Sequence, residues 1–225
     1  MIITKDKLKG LKKSGFIVIE GVNGAGKTSV KKHILGFFNN KNLTYVDTYE
    51  PGDTALGKSL RELLLGKDRD IKSNLAELFL FAADRAEHVE KVIKPAIKEN
   101  KIVLCDRYYY STTAFQGYGR KNNLELVDRI NTIAIGNVTP DLVILLDLDA
   151  ETGLKRNRKN AIEGDTFSVD ALEKEKLDFH NAIRDGFLKI AETSNEPFIV
   201  IDASKKLEAV LSEAEEILRL YLSND

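Results

Sequence analysis

Short apolar runs alternate with longer amphipathic segments along this chain. The runs at 16–20, 101–105 and 142–147 are apolar almost throughout, which is typical of parallel strands that are buried on both faces. Two further strands are predicted at 43–48 and 197–201. Helices are predicted at 27–39, 55–65, 73–99, 124–135, 150–158, 170–193 and 206–222. This alternation predicts an α/β fold with a five-stranded, doubly wound parallel sheet flanked by helices.

Several segments depart from this regular pattern. Pro95 lies inside the third predicted helix and should kink or break it, because proline lacks a backbone N–H and clashes with the preceding turn. The segments 50–54 and 159–168 lack periodicity and are candidate ligand loops. Residues 1–15 are rich in lysine and are expected to form a basic extension, either a solvated helix or a frayed arm. The remainder, 16–225, is expected to be one domain.

The strongest chemical motif directly follows the first strand. Residues 21–28 read GVNGAGKT, which is the G-x-x-x-x-G-K-[ST] pattern of a phosphate-binding loop. Its glycines let the backbone wrap a polyphosphate, and its amides point at the phosphate oxygens. Lys27 should reach the β- and γ-phosphates of ATP, and Thr28 should bind Mg²⁺. The expected contacts with the nucleotide are Gly21, Asn23, Gly24, Ala25, Gly26, Lys27, Thr28 and Ser29.

Composition narrows the class of partner. The chain has 225 residues, with 34 basic and 35 acidic side chains. A net charge near zero argues against a protein that binds nucleic acid or an acidic membrane surface, so a small ligand is expected. The single cysteine, Cys105, and the lack of an apolar segment long enough to span a membrane favour a cytoplasmic protein without disulfides.

Other classes of phosphate-loop protein fit less well. A GTPase should carry a strand that ends in Asp-x-x-Gly and an Asn-Lys-x-Asp base reader, and neither occurs in a suitable place. An ATPase motor is normally larger and carries an acidic pair with a residue that activates water. Neither class is therefore supported by the sequence.

The ordered set of motifs resembles the thymidylate kinase family, which is part of the nucleoside monophosphate kinase group. The resemblance runs from about Phe16 to the C-terminal helix. Besides the phosphate loop, the matching segments are EPG at 50–52, LFAADR at 80–85, VIKPA at 92–96, CDRY at 105–108, AFQGY at 114–118, PDL at 140–142, GLKR at 153–156 and IDA at 201–203. The most specific of these segments are Phe-Ala-Ala-x-Arg and Gln-Gly-Tyr.

This resemblance implies a P-loop kinase fold with a short lid at approximately 156–169. It implies ATP-dependent phosphorylation of dTMP to dTDP with Mg²⁺. It also implies a homodimer formed through apolar helix faces, for which the helix around 74–92 is a candidate.

The resemblance also assigns the acceptor site. It implies that Phe81 stacks on thymine, that Arg85 donates to O4 and that Gln116 reads the N3 edge. A donor that faces O4 accepts thymine or uracil and conflicts with the amino group of cytosine. Phe115 is placed against the deoxyribose, and the Glu50-Pro51 segment is placed among the substrate contacts.

The transfer chemistry is assigned in the same way. The resemblance implies that Arg107 binds the 5′-phosphate of the acceptor, that Asp106 holds Mg²⁺-bound water and that Arg156 packs on adenine. Family members without a basic residue at the position of Gly24 tend to supply arginine from the lid, which makes Arg158 the expected lid catalyst. Catalysis then requires alignment and charge neutralisation.

Some positions depart from the family pattern. Asn23 replaces the usual acidic residue that accepts a hydrogen bond from the 3′-hydroxyl of the substrate, so Asn23→Asp is expected to tighten dTMP binding. Tyr49, Asp53, Asn160 and Thr166 also differ. Two alternatives therefore remain open: a kinase of another deoxynucleotide or deoxynucleoside, and a weakly active nucleotide-binding paralogue.

Overall fold

A computed structural model describes residues 1–10, 15–162, 172–173 and 175–223. Within these residues, five parallel strands form one sheet in the order β2-β3-β1-β4-β5. The strands are β1 (Phe16–Gly21), β2 (Tyr45–Tyr49), β3 (Ile102–Asp106), β4 (Leu142–Asp147) and β5 (Phe198–Asp202). This confirms the predicted α/β class and the five-stranded parallel sheet.

The helices of the described residues lie between and after the strands. They are α1 (Lys27–Asn40), α2 (Ala55–Leu65), α3 (Asn74–His88), α4 (Lys94–Lys98), α5 (Tyr109–Thr112), α6 (Leu124–Ile135), α7 (Ala150–Ile162), α8 (Leu177–Thr193) and α9 (Leu207–Leu222). Four of these helices begin at a polar side chain that accepts from a backbone N–H of the first turn, namely Thr54, Ser73, Asn123 and Asp149. Such caps satisfy donors that the helix itself leaves unpaired. None of the described helices is long and apolar enough to cross a membrane.

The central strand β1 determines where a ligand can bind. All six of its residues are buried, and it pairs with β3 on one side and β4 on the other. The register places Ile19 opposite Asp106 and Gly21 opposite Leu146. The carboxyl ends of β1 and β3 therefore lie side by side, and ligands of open parallel sheets bind at such an edge.

The predicted break at Pro95 is not observed, because the backbone stays helical from Asn74 to Lys98, although its hydrogen-bond pattern changes just before the proline. The α-helical geometry of α3 ends at His88, a π-helical segment covers Val89–Ile93, and α4 then begins at Lys94 with the proline in its first turn. Proline is tolerated in the first turn because the N–H that it lacks would be unpaired there. The wider turn before Pro95 thus accommodates the proline without unwinding the helix.

The N-terminal segment differs from the expected solvated helix or frayed arm. Ile3 N–H donates to Phe198 O at 2.8 Å, and Phe198 N–H donates to Met1 O at 2.9 Å. Leu8 lies in a 3-10 helix at Lys5–Gly10 and is fully buried. The edge strand β5 offers unpaired backbone groups, and the first residues satisfy some of them. The lysine content of this segment did not reveal its backbone pairing.

Other boundaries also differ from the sequence-based expectations. The segment from Tyr109 to Gly119 is helical, as α5 followed by a π-helical segment at Thr113–Gly119. Helix α7 extends to Ile162, so residues 159–162 are not an irregular loop. Helix α8 begins at Leu177, whereas a start at residue 170 was predicted. The second half of the predicted lid, 163–169, which includes Thr166, lies outside the described residues.

Candidate active site

The phosphate loop connects β1 to α1 through three glycines with unusual backbone angles. Gly21, Gly24 and Gly26 have φ values of 144°, 77° and 94°, which residues with a Cβ rarely adopt. A Cβ on Gly24 would also overlap the carbonyl group of Gly153 in α7. Glycine is therefore required at position 24 for two reasons: its φ value is positive, and Gly153 leaves no space for a Cβ. The loop and α7 meet backbone to backbone.

The loop leads into the N-terminus of α1. Ala25 is buried and its N–H donates to Val22 O at 3.3 Å, which closes the turn before the helix. Thr28 and Ser29 lie exposed in the first turn. A helix N-terminus with free amides and two hydroxyl groups is a suitable site for a phosphate and its cation.

Lys27 is held by the same loop. Its Nζ donates to Gly21 O and Val22 O, both at 3.1 Å, and the side chain is buried. Burial, and secondly the nearby positive charge of Arg107, lower the pKa of Lys27 to about 7. Its charge near neutral pH therefore depends on whether an anion such as a phosphate group lies beside it.

A buried carboxylate joins the ends of β1 and β3. Glu20 accepts hydrogen bonds from Tyr108 N–H at 2.9 Å, Ser111 N–H at 3.1 Å and Ser111 Oγ at 2.7 Å. An oxygen of this carboxylate lies 3.8 Å from Arg107 Nη1. Burial raises the pKa of Glu20, which the charge of Arg107 and the hydrogen bonds oppose. The carboxylate fixes the turn that carries Arg107.

Arg107 occupies the space between the phosphate loop and the neighbouring pocket. Its φ of 71° is in the left-handed region, which costs about 1–3 kcal/mol for a non-glycine residue. Its guanidinium donates to Gly21 O at 3.1 Å, to Ser111 Oγ at 2.9 Å and to Asn23 Oδ1 at 2.5 Å. It also lies 5.1 Å from the ring centroid of Phe115. Strain of this kind is typical of functional sites.

Asp106 fits the expected role near Mg²⁺. Its Oδ1 is buried and accepts no hydrogen bond from the residues that the structure describes. Such an unpaired oxygen is suited to a cation or to water bound to it, since Mg²⁺ keeps several waters and uses one or two carboxylates together with substrate phosphates. The described residues contain no cluster of three His, Cys, Asp or Glu side chains that could hold a metal ion.

Asn23 uses both ends of its amide. Its Oδ1 accepts from Arg107, and its Nδ2 donates to Glu173 Oε1 at 3.2 Å. Asn157 in α7 donates to the same oxygen of Glu173 at 2.7 Å. The segment after the predicted lid thus supplies a carboxylate directly beside position 23. This contact was not predictable from the sequence, because 150 residues separate the two partners.

A cavity opens on the other side of Arg107. Its empty volume is about 440 Å³, part of which is open to solvent. It is lined by Asn23, Glu50, Pro51, Leu65, Phe81, Arg85, Arg107, Tyr108, Ser111, Thr112, Phe115, Gln116 and Leu172. The structure therefore brings together every residue that the resemblance implied for the acceptor.

Arg85 is fixed on the wall of this cavity. Its Nε donates to Glu50 Oε2 at 2.9 Å, Nη1 to Asn131 Oδ1 at 3.2 Å and Nη2 to Thr112 Oγ1 at 2.9 Å. Glu50 also lies 2.8 Å from His88 Nδ1. Three acceptors leave two of the five guanidinium hydrogens for another partner. The arginine is thus both buried and able to donate into the cavity.

Gln116 lies in the π-helical segment on the same wall. Its Nε2 donates to Glu77 Oε1 at 2.8 Å, and both side chains are almost fully buried. Glu77 is also an acceptor for Arg69 and Arg120. The amide nitrogen of Gln116 is therefore committed to a carboxylate.

Arg156 and Arg158 are the residues that were assigned to ATP outside the phosphate loop. Arg156 in α7 donates from Nη1 to Ala203 O at 3.0 Å, in the segment that follows β5. Of Arg158, only the backbone within α7 is described. The assignment of Arg158 as the lid catalyst concerns a side chain outside the described part and stays a prediction.

Sequence reasoning missed several contributors to the site. Glu20, Ser111, Glu77 and Glu173 organise the expected residues without belonging to the motifs used for recognition. For Glu20 a signal was present, since a charge inside an apolar strand must be paired when buried. The partners of Glu77 and Glu173 depend on tertiary packing and gave no local signal.

A glycine-rich phosphate loop at the carboxyl edge of the sheet, beside a pocket that contains two arginines, defines a P-loop phosphotransferase that acts on a small acceptor. The family model described as "Thymidylate kinase" matches residues 19–214. The chain belongs to the thymidylate kinase family, whose reaction is the phosphorylation of dTMP by ATP with Mg²⁺.

Curated relatives agree with this assignment. A thymidylate kinase of Nostoc sp. is 41% identical over 208 residues, which cover 92% of this chain and 96% of the relative. One of Nostoc punctiforme is 42% identical over 207 residues, with the same two coverages of 92% and 96%. One of Carboxydothermus hydrogenoformans is 41% identical over 203 residues, covering 90% and 96%. The similarity thus extends over nearly the whole of each protein.

Because the pKa of Lys27 is lowered, the binding of ATP should be accompanied by the uptake of a proton. At pH 8 the unliganded side chain, with its pKa of about 7, is largely neutral, and the phosphates of ATP should return it to the ammonium form. Calorimetry at pH 8 in buffers of different ionisation enthalpy should therefore show proton uptake on ATP binding. The uptake should disappear in Lys27→Met and persist in Lys32→Met, which changes an exposed lysine of the same helix. Equal proton counts for the wild type and Lys27→Met would contradict this prediction.

The contacts of Asn23 reverse the expectation for Asn23→Asp. A carboxylate at position 23 would face Glu173 Oε1, now 3.2 Å from the amide nitrogen, and like charges at that distance repel. Asn23→Asp should raise the KM for dTMP and lower Tm by about 2–4 °C for each kcal/mol of repulsion. Asn23→Asp combined with Glu173→Gln should recover both values, with Glu173→Gln alone as the control. A lower KM in the single Asn23→Asp variant would support the sequence-based expectation instead.

Proposed function

We propose that this chain transfers the γ-phosphoryl group of ATP to the 5′-phosphate of dTMP and so forms dTDP. The observation that carries the proposal is the position of Arg107, which contacts the phosphate loop through Gly21 and the acceptor cavity through Phe115. One guanidinium thus lies between the two places where phosphates are expected. This geometry favours direct transfer between two bound nucleotides over hydrolysis.

The residues of the chain then act by position and charge. Lys27 neutralises the phosphates of the donor, and Arg107 orients the phosphate of the acceptor. Asp106 and Thr28 hold the cation, which when bound supplies charge neutralisation between the phosphates. No general base is required, because the second pKa of a phosphate monoester is about 6 and the acceptor is already ionised at neutral pH. Arg156 is assigned to adenine and Arg158 to the transferring group.

The cavity supports thymine as the base. Phe81 offers an aromatic face, and Arg85 keeps unused donors that suit the O4 acceptor of thymine. Phe115 closes the side near Arg107, where the deoxyribose is assigned. Glu50 and Pro51 form part of the same wall, with Glu50 holding Arg85 in place. A buried arginine pointed at an amino group would leave donor facing donor, so cytosine should be rejected.

We also propose that the protein is a homodimer. Helices α2 and α3 pack against each other, yet Leu63 in α2 is 57% exposed and Phe79 in α3 is 52% exposed. Leu56 and Leu75 on the same two helices are also exposed. A second copy of the chain would cover these side chains. The only cysteine, Cys105, is a buried free thiol, which supports a cytoplasmic location.

The substrate proposal is tested by the release of ADP over a panel of nucleoside monophosphates. We expect the highest kcat/KM with dTMP, a loss of about tenfold or more with dUMP, which lacks one methyl group, and a larger loss with dCMP. Lys27→Ala should abolish turnover and so exclude a contaminating kinase. Equal efficiencies with dTMP and dCMP would remove Arg85 from base recognition and support a kinase of another deoxynucleotide.

The dimer is tested by analytical ultracentrifugation. The wild type should sediment as a dimer, and Phe79→Glu should sediment as a monomer, because a charge would then be buried in the contact. Leu207→Glu is the matched control, since Leu207 is 48% exposed on α9. A monomeric wild type, or a dimer that survives Phe79→Glu and Leu63→Glu together, would contradict the proposal.

A further inference from the structure

The base-reading end of the cavity contains a buried charged network that no family motif assigned. Glu77 in α3 is 1% exposed, as is Gln116 opposite it. The carboxylate receives Gln116 Nε2 at 2.8 Å, Arg120 Nε at 3.2 Å and a close contact from Arg69 Nη2. Arg120 continues to Glu175 at 2.6 Å. Both oxygens of Glu77 thus accept hydrogen bonds, Oε1 from Gln116 and Arg120 and Oε2 from Arg69 and Arg120.

An acceptor at this place determines how the amide of Gln116 is oriented. The two ends of a glutamine amide are nearly equal in shape, and one donates while the other accepts. Turning the amide over would place its oxygen against the oxygen of Glu77, with both groups buried. The cost of two buried acceptors facing each other excludes that orientation. The nitrogen must face Glu77, and Oε1 takes the other side.

The opposite end of the amide is available for a ligand. Gln116 lines the cavity, and the described residues donate no recorded hydrogen bond to its Oε1. The backbone carbonyl of Gln116 is already occupied by Asn122 Nδ2 at 2.6 Å. Gln116 therefore presents an acceptor to the base, which matches the N3–H donor of thymine or uracil. The N3 atom of cytosine is itself an acceptor, so it would face Gln116 Oε1 without a hydrogen bond between them.

We propose that Glu77 is a positioning residue that sets base specificity by fixing the amide orientation of Gln116. Glu77 contacts Gln116 and not the base, so it acts through its neighbour. This proposal rests on the proposed function, because it assumes that the cavity holds a pyrimidine. Glu77 does not line the cavity, yet it would decide whether Gln116 presents an acceptor or a donor to N3 of the base.

The test compares two substitutions at position 77. Glu77→Met keeps the length of the side chain but removes the acceptor, so the amide of Gln116 can turn over and donate to N3 of cytosine. We expect the ratio of kcat/KM for dTMP to that for dCMP to fall about tenfold, the effect of one neutral hydrogen bond. Glu77→Gln keeps an oxygen that can accept from Gln116, and it should retain the ratio within about threefold. The ratio is measured within one preparation, so the fraction of folded enzyme cancels.

A matched control separates orientation from loss of charge. Glu175→Gln removes a carboxylate from the same arginine network without touching Gln116, and it should leave the ratio unchanged. If Glu77→Gln or Glu175→Gln lowered the ratio as much as Glu77→Met, the ion pairs and not the orientation would set specificity. An unchanged ratio in Glu77→Met would overturn the proposal.

A variant at position 116 keeps the proposal testable if Glu77→Met folds poorly. Gln116→Met should lower the ratio on its own, because it removes the acceptor expected opposite N3. A wild-type ratio in Gln116→Met would overturn the proposal, since Glu77 is argued to act only through Gln116. A wild-type enzyme that shows no preference for dTMP would instead refute the proposed base recognition, whatever the variants at position 77 do.

Discussion

Glu20 is the group on which the arrangement of this site depends. A carboxylate that is fully removed from water is tolerated only when it is paired and hydrogen-bonded. Its partners here are two backbone N–H groups and a hydroxyl of the segment after β3, together with the nearby guanidinium of Arg107. Satisfying one buried charge on β1 therefore determines the path of the chain after β3.

That path explains how two distant motifs come to serve one reaction. The phosphate loop leaves β1 directly after Glu20, and Arg107 follows the last residue of β3. Because these strands are neighbours with a fixed register, the turn held by Glu20 places the arginine against the carbonyl of Gly21. The left-handed backbone at Arg107 is compensated by these contacts. Glu20 stabilises the strand ends, and it thereby also positions the arginine that is expected to bind the acceptor phosphate.

Much of the fold could be predicted because its signals are local. The apolar runs located the five strands to within a residue or two, and the phosphate loop has a short-range physical cause. The helix after β3 was missed, since Tyr109 to Gly119 contains two glycines and several tyrosines and lacks a clear helical period. The N-terminal segment was misjudged because its backbone pairs with β5, and backbone pairing across the chain leaves little trace in composition.

The residues that were predicted for the acceptor line one cavity, but their connections could not be predicted. Family motifs indicated Asn23 and Gln116, yet not that Glu173 and Glu77 would take up their amide nitrogens. Sequence spacing does not encode such contacts, because each joins residues that are far apart in the chain. The motif-based assignment is therefore least complete for the side-chain amides of Asn23 and Gln116. Their donor and acceptor ends are set by neighbours outside the motifs.

The close approach of Gly24 and Gly153 limits where a catalytic cation can come from. A Cβ on Gly153 would overlap the carbonyl of Asn23, just as one on Gly24 would overlap that of Gly153. A larger residue at either position would therefore force α7 away from the loop. A basic side chain at position 24 is thus incompatible with the present position of α7, so in this chain the contact between loop and helix itself excludes a cation from that point of the loop.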